Sequence, residues 1–284
     1  MTAAYLLLLP LHVAATCTEP VETWLLHHRR SGSTSLRNWL ANLSGPKRWF
    51  SLQVSPRYFN DTASVTPTCW DLGARYRALG RPAPRGAATV THLREPLARV
   101  ASEFAYRGPA GDAAEAWRAW LSPAARWSRD GLYGPPGGPR ARWAPVDDYY
   151  VRSLAPRGCE GACAPGPAFG RMGTLGCEVA WPPPRLGDGD LRRAMDAVEG
   201  RVDAVVVAEL SGDPALHAWL LEDVLGGCVR PEAPRRPPSM NARKARFAAP
   251  PAAVLPELRR RNALDLALYA WARNRTAHLI NKRR

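Results

Sequence analysis

Ten residues near the amino end, His27-His28-Arg29-Arg30-Ser31-Gly32-Ser33-Thr34-Ser35-Leu36, constrain this chain more than any other stretch. Before them, Val21 to Leu26 is a short apolar run with Val, Thr and Trp, the pattern of a buried strand. After them, Leu36, Trp39, Leu40 and Leu43 recur at i, i+3, i+4 and i+7, one apolar stripe of a helix. Between strand and helix stands a turn of small hydroxylated residues around Gly32, with Ser33, Thr34 or Ser35 available as cap. Free N–H groups and the positive end of the helix dipole make such a junction attractive to an anion. The hydroxyls and the two arginines add donors that suit phosphate. An ordinary Ser-rich turn is the plainer alternative. A Walker A loop is excluded, because that motif needs four residues between its glycines and a Lys directly before the Ser/Thr.

The same unit returns downstream. Ala88-Thr89-Val90-Thr91-His92-Leu93 reads as a second buried strand that runs straight into Arg94-Glu95-Pro96, with Pro96 suited to the first helical position. Leu97, Val100, Ala101 and Phe104 repeat the helical stripe, and Ser102 lies on that helix. Further helices are predicted over 113–121, 191–199 and 213–225, the last opened by the cap-plus-proline pair Asp213-Pro214. A strong strand is predicted over Val202–Ala208. A final helix is predicted with Leu264, Ala267, Leu268 and Trp271 on its apolar face. Segment 149–154 reads as a short ordered piece. Lys47–Gly86 reads as a loop-rich excursion with one helix over 70–79, and 155–190 as a loop rich in Gly, Pro and Cys. Strands alternating with helices predict an α/β domain, a central parallel sheet flanked by helices. In such sheets ligands sit at the carboxyl ends of the strands, where both turns fall.

At 284 residues the chain can bury a substantial core. The net charge of +14 points to an anionic partner: nucleic acid, a polyanionic glycan or a nucleotide. The basic residues are almost all Arg, a bias that lowers the weight of any single arginine. Six cysteines allow 15 pairings into three disulfides. Cys159 and Cys163 have a metal-like spacing, but no second pair or nearby His completes a site, so no metal is expected. Sequons at Asn42, Asn60 and Asn274 point toward the secretory pathway and a glycoprotein. Residues 3–15 are apolar except for His12 and are interrupted by Pro10, too short for a bilayer span of roughly 20 residues. Residues 1–20 therefore read as a signal peptide or a clipped signal-anchor that would attach the protein to a membrane, with an extra strand as the alternative. Residues 21–284 read as the functional domain.

Together the two turns resemble the nucleotide site of sulfotransferases that use 3′-phosphoadenylyl sulfate (PAPS). Arg30-Ser31-Gly32-Ser33-Thr34-Ser35-Leu36 is similar to that family's Lys-Thr-Gly-Ser-Thr-Ser-Leu loop, which cradles the 5′-phosphosulfate. Thr91 to Phe104 resembles its second motif, Leu-Arg-Asp-Pro followed by Arg-Val and Ser-Glu-Phe/Tyr, whose Arg and Ser hold the 3′-phosphate. The resemblance thus implies Arg30, Ser31, Gly32, Ser33, Thr34, Ser35, Arg94 and Ser102 as PAPS-binding residues. Fainter similarities follow. Asp148–Leu154 resembles the Asn-Asn-x-x-x-Arg-x-Leu stretch of heparan 6-O type enzymes. Asn262–Tyr269 resembles the Asn-x-Leu-Asp-x-x-Leu-Tyr segment of membrane-bound carbohydrate sulfotransferases. The similarity spans about residues 21 to 280. It implies a P-loop-like three-layer domain, PAPS as co-substrate without a metal, an anionic carbohydrate acceptor and a Golgi location.

Sulfuryl transfer needs a cation on the leaving phosphate, N–H groups around the sulfuryl oxygens and a base for the acceptor hydroxyl. Arg30 would be that cation, where the family usually has Lys; the exchange keeps the charge but not the shape. The base is not assigned. The helix positions from which related enzymes take a Glu or His hold Asn38 and Trp39, and no His lies between His28 and His92. His27, His28, Asp71 and Glu103 are the remaining candidates. Two rival functions stay open: a degenerate sulfotransferase fold that binds anionic glycan without catalysis, and a basic nucleic-acid-binding protein. The second would want aromatics interleaved with Lys and Arg on one surface, whereas here they fall on apolar helix faces.

Overall fold

The computed structural model describes residues 21–28, 31–44, 49–54, 57–59, 87–107, 113–121, 148–154, 172–175, 178–180, 186–229 and 249–282. The strands are β1 (Thr23–His28), β2 (Trp49–Val54), β3 (Arg57–Phe59), β4 (Ala88–Leu93), β5 (Met172–Leu175), β6 (Glu178–Ala180) and β7 (Ala204–Val207). The helices are α1 (Thr34–Ser44), α2 (Pro96–Arg107), α3 (Ala113–Leu121), α4 (Tyr149–Leu154), α5 (Asp188–Arg201), α6 (Pro214–Trp219), α7 (Leu255–Arg261) and α8 (Ala263–Asn281). A π-helical turn, Leu220–Val224, continues α6.

Five strands form one sheet in the order β5-β2-β1-β4-β7, every pair parallel. β3 and β6 make a separate parallel pair. All six residues of β4 and all four of β7 are buried, as expected for a parallel sheet covered on both sides. The period of two divides the side chains. Trp24, Leu26, Leu93, Val205 and Val207 join one apolar cluster with α4, α5 and α8. Leu25, Val90, Ala204 and Val206 join another with Leu36, Trp39, Leu40 and Leu43 of α1 and with Leu216 and Trp219 of α6. A third cluster packs α2, α3 and α7 around Val100, Trp117 and Leu258, with Phe104 stacked on Trp117 at 4.0 Å.

The chain is thus α/β, with a parallel sheet flanked by helices, and both strand–turn–helix units form. Two loop expectations need correction. β2 and β3 lie in 47–86, where loop was expected, and β5 and β6 lie in 155–190. In Trp49–Val54, Phe50, Leu52 and Val54 alternate with Ser51 and Gln53; that strand period was masked by the surrounding scatter of aromatics. The helix expected over 70–79 lies outside the described residues. The face of α8 is also shifted. Asp265, Leu268, Tyr269, Ala272, Thr276 and Ile280 are buried, whereas Ala267 is exposed and Leu264 and Trp271 are half-buried. A polar residue occupies the buried face because Asp265 bonds to a neighbouring helix. Thr276 is buried because its hydroxyl donates to the Val205 carbonyl of β7 at 2.9 Å, which ties α8 to that strand.

Candidate functional site

Register sets three chain reversals side by side. His27 pairs with His92, and Leu93 with Val207, so β1, β4 and β7 end on one line. From β1 the chain passes to β2 on one side, while β4 lies on the other. The gap between the turns after β1 and β4 is therefore a switch point of the sheet, the usual place for a ligand crevice. A cleft of about 180 Å³ opens there, lined by Ser31, Gly32, His92, Arg94, Ala208, Glu209 and Ser211.

The first turn is closed by Ser31, whose N–H and hydroxyl both donate to the His28 carbonyl, at 3.3 and 2.8 Å. That hydroxyl is spent on the turn; its oxygen can still accept. Gly32 has φ +85°, where an L side chain is strained. A Cβ there would also approach His92 Cε1 at 3.9 Å, an ordinary contact, so backbone conformation rather than space calls for glycine. The Ser33 carbonyl accepts from Arg37 N–H at 2.7 Å and starts α1. The N–H groups of Thr34, Ser35 and Leu36 form the helix's first turn and have no partner within it. Ser33 is buried, Thr34 exposed and Ser35 half-buried. Arg30 lies outside the described residues.

The second turn is held from several directions. Glu95 caps α2, its carboxylate accepting from the N–H groups of Leu97 and Ala98 at 3.1 and 2.6 Å, with Pro96 following as the first helical residue. The Tyr150 hydroxyl accepts from Arg94 N–H at 3.1 Å and donates to the Arg94 carbonyl at 3.0 Å. Tyr150 is fully buried, and burial pushes its ionisation far above the usual phenol range, so it stays a donor. The His28 ring stands edge-on to Tyr150 at 4.9 Å, and the buried Arg99 guanidinium lies over the Tyr149 ring at 4.3 Å.

α4 therefore plugs the space beneath both turns, and α8 fixes α4. Asp265 accepts from the N–H groups of Tyr150 and Val151, both at 2.9 Å. Asp148 accepts from those of Leu264 and Asp265 at 3.0 and 3.1 Å. Each acidic residue caps the other's helix, so the two fainter sequence similarities meet in space. Burial, and next the Asp148 charge, push the Asp265 carboxyl up to about 7. Tyr269, also on α8, donates to Glu209 at 2.6 Å, and Glu209 accepts from Glu95 N–H at 3.1 Å. Burial and then that bond push the Tyr269 phenol up.

The cleft thus unites Ser31, Gly32 and Arg94 from the two expected motifs. Ser102 does not line it; it is buried on α2, seven residues beyond Glu95 and so on the same helix face. Among the candidate bases, His28 and Glu103 are buried and absent from the cleft wall. Asp71 and the side chain of His27 lie outside the described residues. Asn38 is exposed and Trp39 sits in the core. Four residues of the cleft were not among the expected site residues: His92, Ala208, Glu209 and Ser211. Glu209 follows the predicted strand directly, so the rule that ligands gather at strand carboxyl ends would have found it.

Cys228 is disulfide-bonded, with its partner outside the described residues. Among the described residues no helix is long and apolar enough to cross a membrane; residues 1–20 lie outside them. Compared with models of known protein families, with curated proteins and with solved structures, the chain matches none.

Proposed function

We propose that this chain is a PAPS-dependent sulfotransferase of P-loop-like architecture that acts on a carbohydrate hydroxyl in the secretory pathway. The observation that carries the proposal is the cleft at the sheet's switch point, where Ser31 and Gly32 of one motif meet Arg94 of the other. The N–H groups at the start of α1 receive the phosphosulfate, and Arg94 takes the 3′-phosphate through charge-assisted bonds. Arg30 neutralises the leaving phosphate as the S–O bond breaks. The net charge of +14 favours an acidic glycan as acceptor. The nucleotide part is tested by thermal unfolding with adenosine 3′,5′-bisphosphate and with 5′-AMP. A ligand at 100 times its Kd adds about 2.7 kcal/mol, so the bisphosphate should raise Tm by several degrees and AMP far less. Arg94→Ala should remove most of that difference. Equal shifts for the two nucleotides would defeat the assignment.

A second reading is a non-catalytic protein of the same fold that binds anionic glycans. Its support is that His28 and Glu103, the two expected bases whose side chains are described, are buried and do not line the cleft.

A further inference from the structure

The cleft also holds a carboxylate that no motif predicts. Glu209 is exposed just after β7 and is the only acidic residue among the described residues that line the cleft. It is fixed from two elements: one oxygen accepts from Glu95 N–H at 3.1 Å and the other from the Tyr269 hydroxyl at 2.6 Å. An ionised carboxylate offers about four acceptor positions, so capacity remains toward the cleft. It has no proton to donate. A phosphate brought against it is repelled, whereas a ligand group carrying a polar hydrogen fits there.

Resting on the nucleotide reading above, we infer that Glu209 accepts a hydrogen bond from the ribose 2′-hydroxyl and so selects 3′- over 2′-phosphorylated nucleotides. Arg94 and Glu209 line the same cleft of about 180 Å³, so a group that Arg94 holds there lies close to this carboxylate. With the 3′-phosphate on Arg94, the ring carbons beside it are C2′ and C4′. C4′ carries no polar hydrogen, whereas C2′ carries a hydroxyl. Swapping the two substituents would set a phosphate dianion against Glu209. A cleft of this size suits a pentose with one phosphate. Carboxylates that read ribose hydroxyls beside a phosphate-binding turn are familiar in other parallel α/β folds.

The test is calorimetric titration of the whole chain with adenosine 3′,5′-bisphosphate, its 2′-deoxy analogue and adenosine 2′,5′-bisphosphate. Losing a hydrogen bond to a charged group should weaken the 2′-deoxy analogue about 10–100-fold. The 2′,5′ isomer should bind more weakly still. Glu209→Gln removes the charge but keeps an acceptor. It should shrink the 2′-hydroxyl preference and tighten the 2′,5′ isomer, a gain that a merely damaged fold would not give. If the 3′,5′-bisphosphate binds but the 2′-deoxy analogue binds equally well, the role of Glu209 is overturned and the nucleotide site stands. If no bisphosphate binds, the nucleotide site falls and Glu209's role with it. Should the variant not fold, the three nucleotides on the natural chain decide alone.

Discussion

Tyr150→Phe removes one oxygen atom from beneath the second turn. That oxygen makes two hydrogen bonds, to the N–H and to the carbonyl of Arg94. The ring would remain, packed edge-on against His28 at 4.9 Å, so the change leaves little cavity. Each neutral bond contributes about 1 kcal/mol net, and a buried group left without a partner costs about 1–3 kcal/mol. Arg94 is half-buried, so water can repair part of the loss. The expected destabilisation is therefore about 1–3 kcal/mol. For a chain of this size that is roughly 2–10 °C in Tm. The functional effect should be larger than the structural one, because Arg94 must be aimed as well as present. The preference for adenosine 3′,5′-bisphosphate over 5′-AMP should fall by about an order of magnitude or more, as expected when a positioning contact is lost. The assay is urea unfolding followed by nucleotide titration of the folded variant. Unchanged stability together with an unchanged preference would refute the idea that α4 sets the second turn.

Gly32→Ala should cost about 1–2 kcal/mol through the backbone at φ +85° rather than through a clash; urea unfolding would measure it, and bisphosphate affinity should fall with it. Glu95→Ala removes the cap of α2 and should destabilise by about 0.5–2 kcal/mol, read from the same unfolding curves. Asp265 titrates near 7 in the fold against 3.8 when unfolded, so the folded chain holds its proton more tightly. That contribution is complete below about pH 4 and is lost as pH rises through 7. The Tm of the natural chain should fall relative to Asp265→Asn over that window, and a constant difference between the two would contradict the assignment.

The parts of the fold that could be read in the sequence were those with a complete local signal. β4 and α2 are bounded by Glu95-Pro96, and α6 by Asp213-Pro214, where cap and proline act on the backbone directly. α1 follows from a stripe that the structure buries at Leu36, Trp39, Leu40 and Leu43. β5 and β6 were not legible, because three- and four-residue strands such as Glu178–Ala180 owe their pairing to distant chain. The two turns of the cleft were legible for the same local reasons. The third wall was legible only in part: the place of Glu209 follows from the predicted strand before it, but its bonds to Glu95 and Tyr269 form only after α8 has packed. The reciprocal caps of Asp148 and Asp265 join residues more than a hundred positions apart. They also explain why an apolar stripe alone misplaced the buried face of α8.

The measurement closest to the central claim is transfer of radiolabelled sulfate from PAPS to a panel of glycans by the natural chain and by Arg30→Ala and Arg30→Lys. Loss of one well-placed electrostatic donor costs about 10²–10³ in rate. Arg30→Ala should therefore nearly abolish transfer while the bisphosphate still binds through Arg94. Arg30→Lys should stay within roughly tenfold, a step of ~1.4 kcal/mol. A natural chain that transfers no sulfate to any glycan, yet binds heparin-like chains equally well with Arg30 intact or removed, would contradict the enzyme and leave the binder.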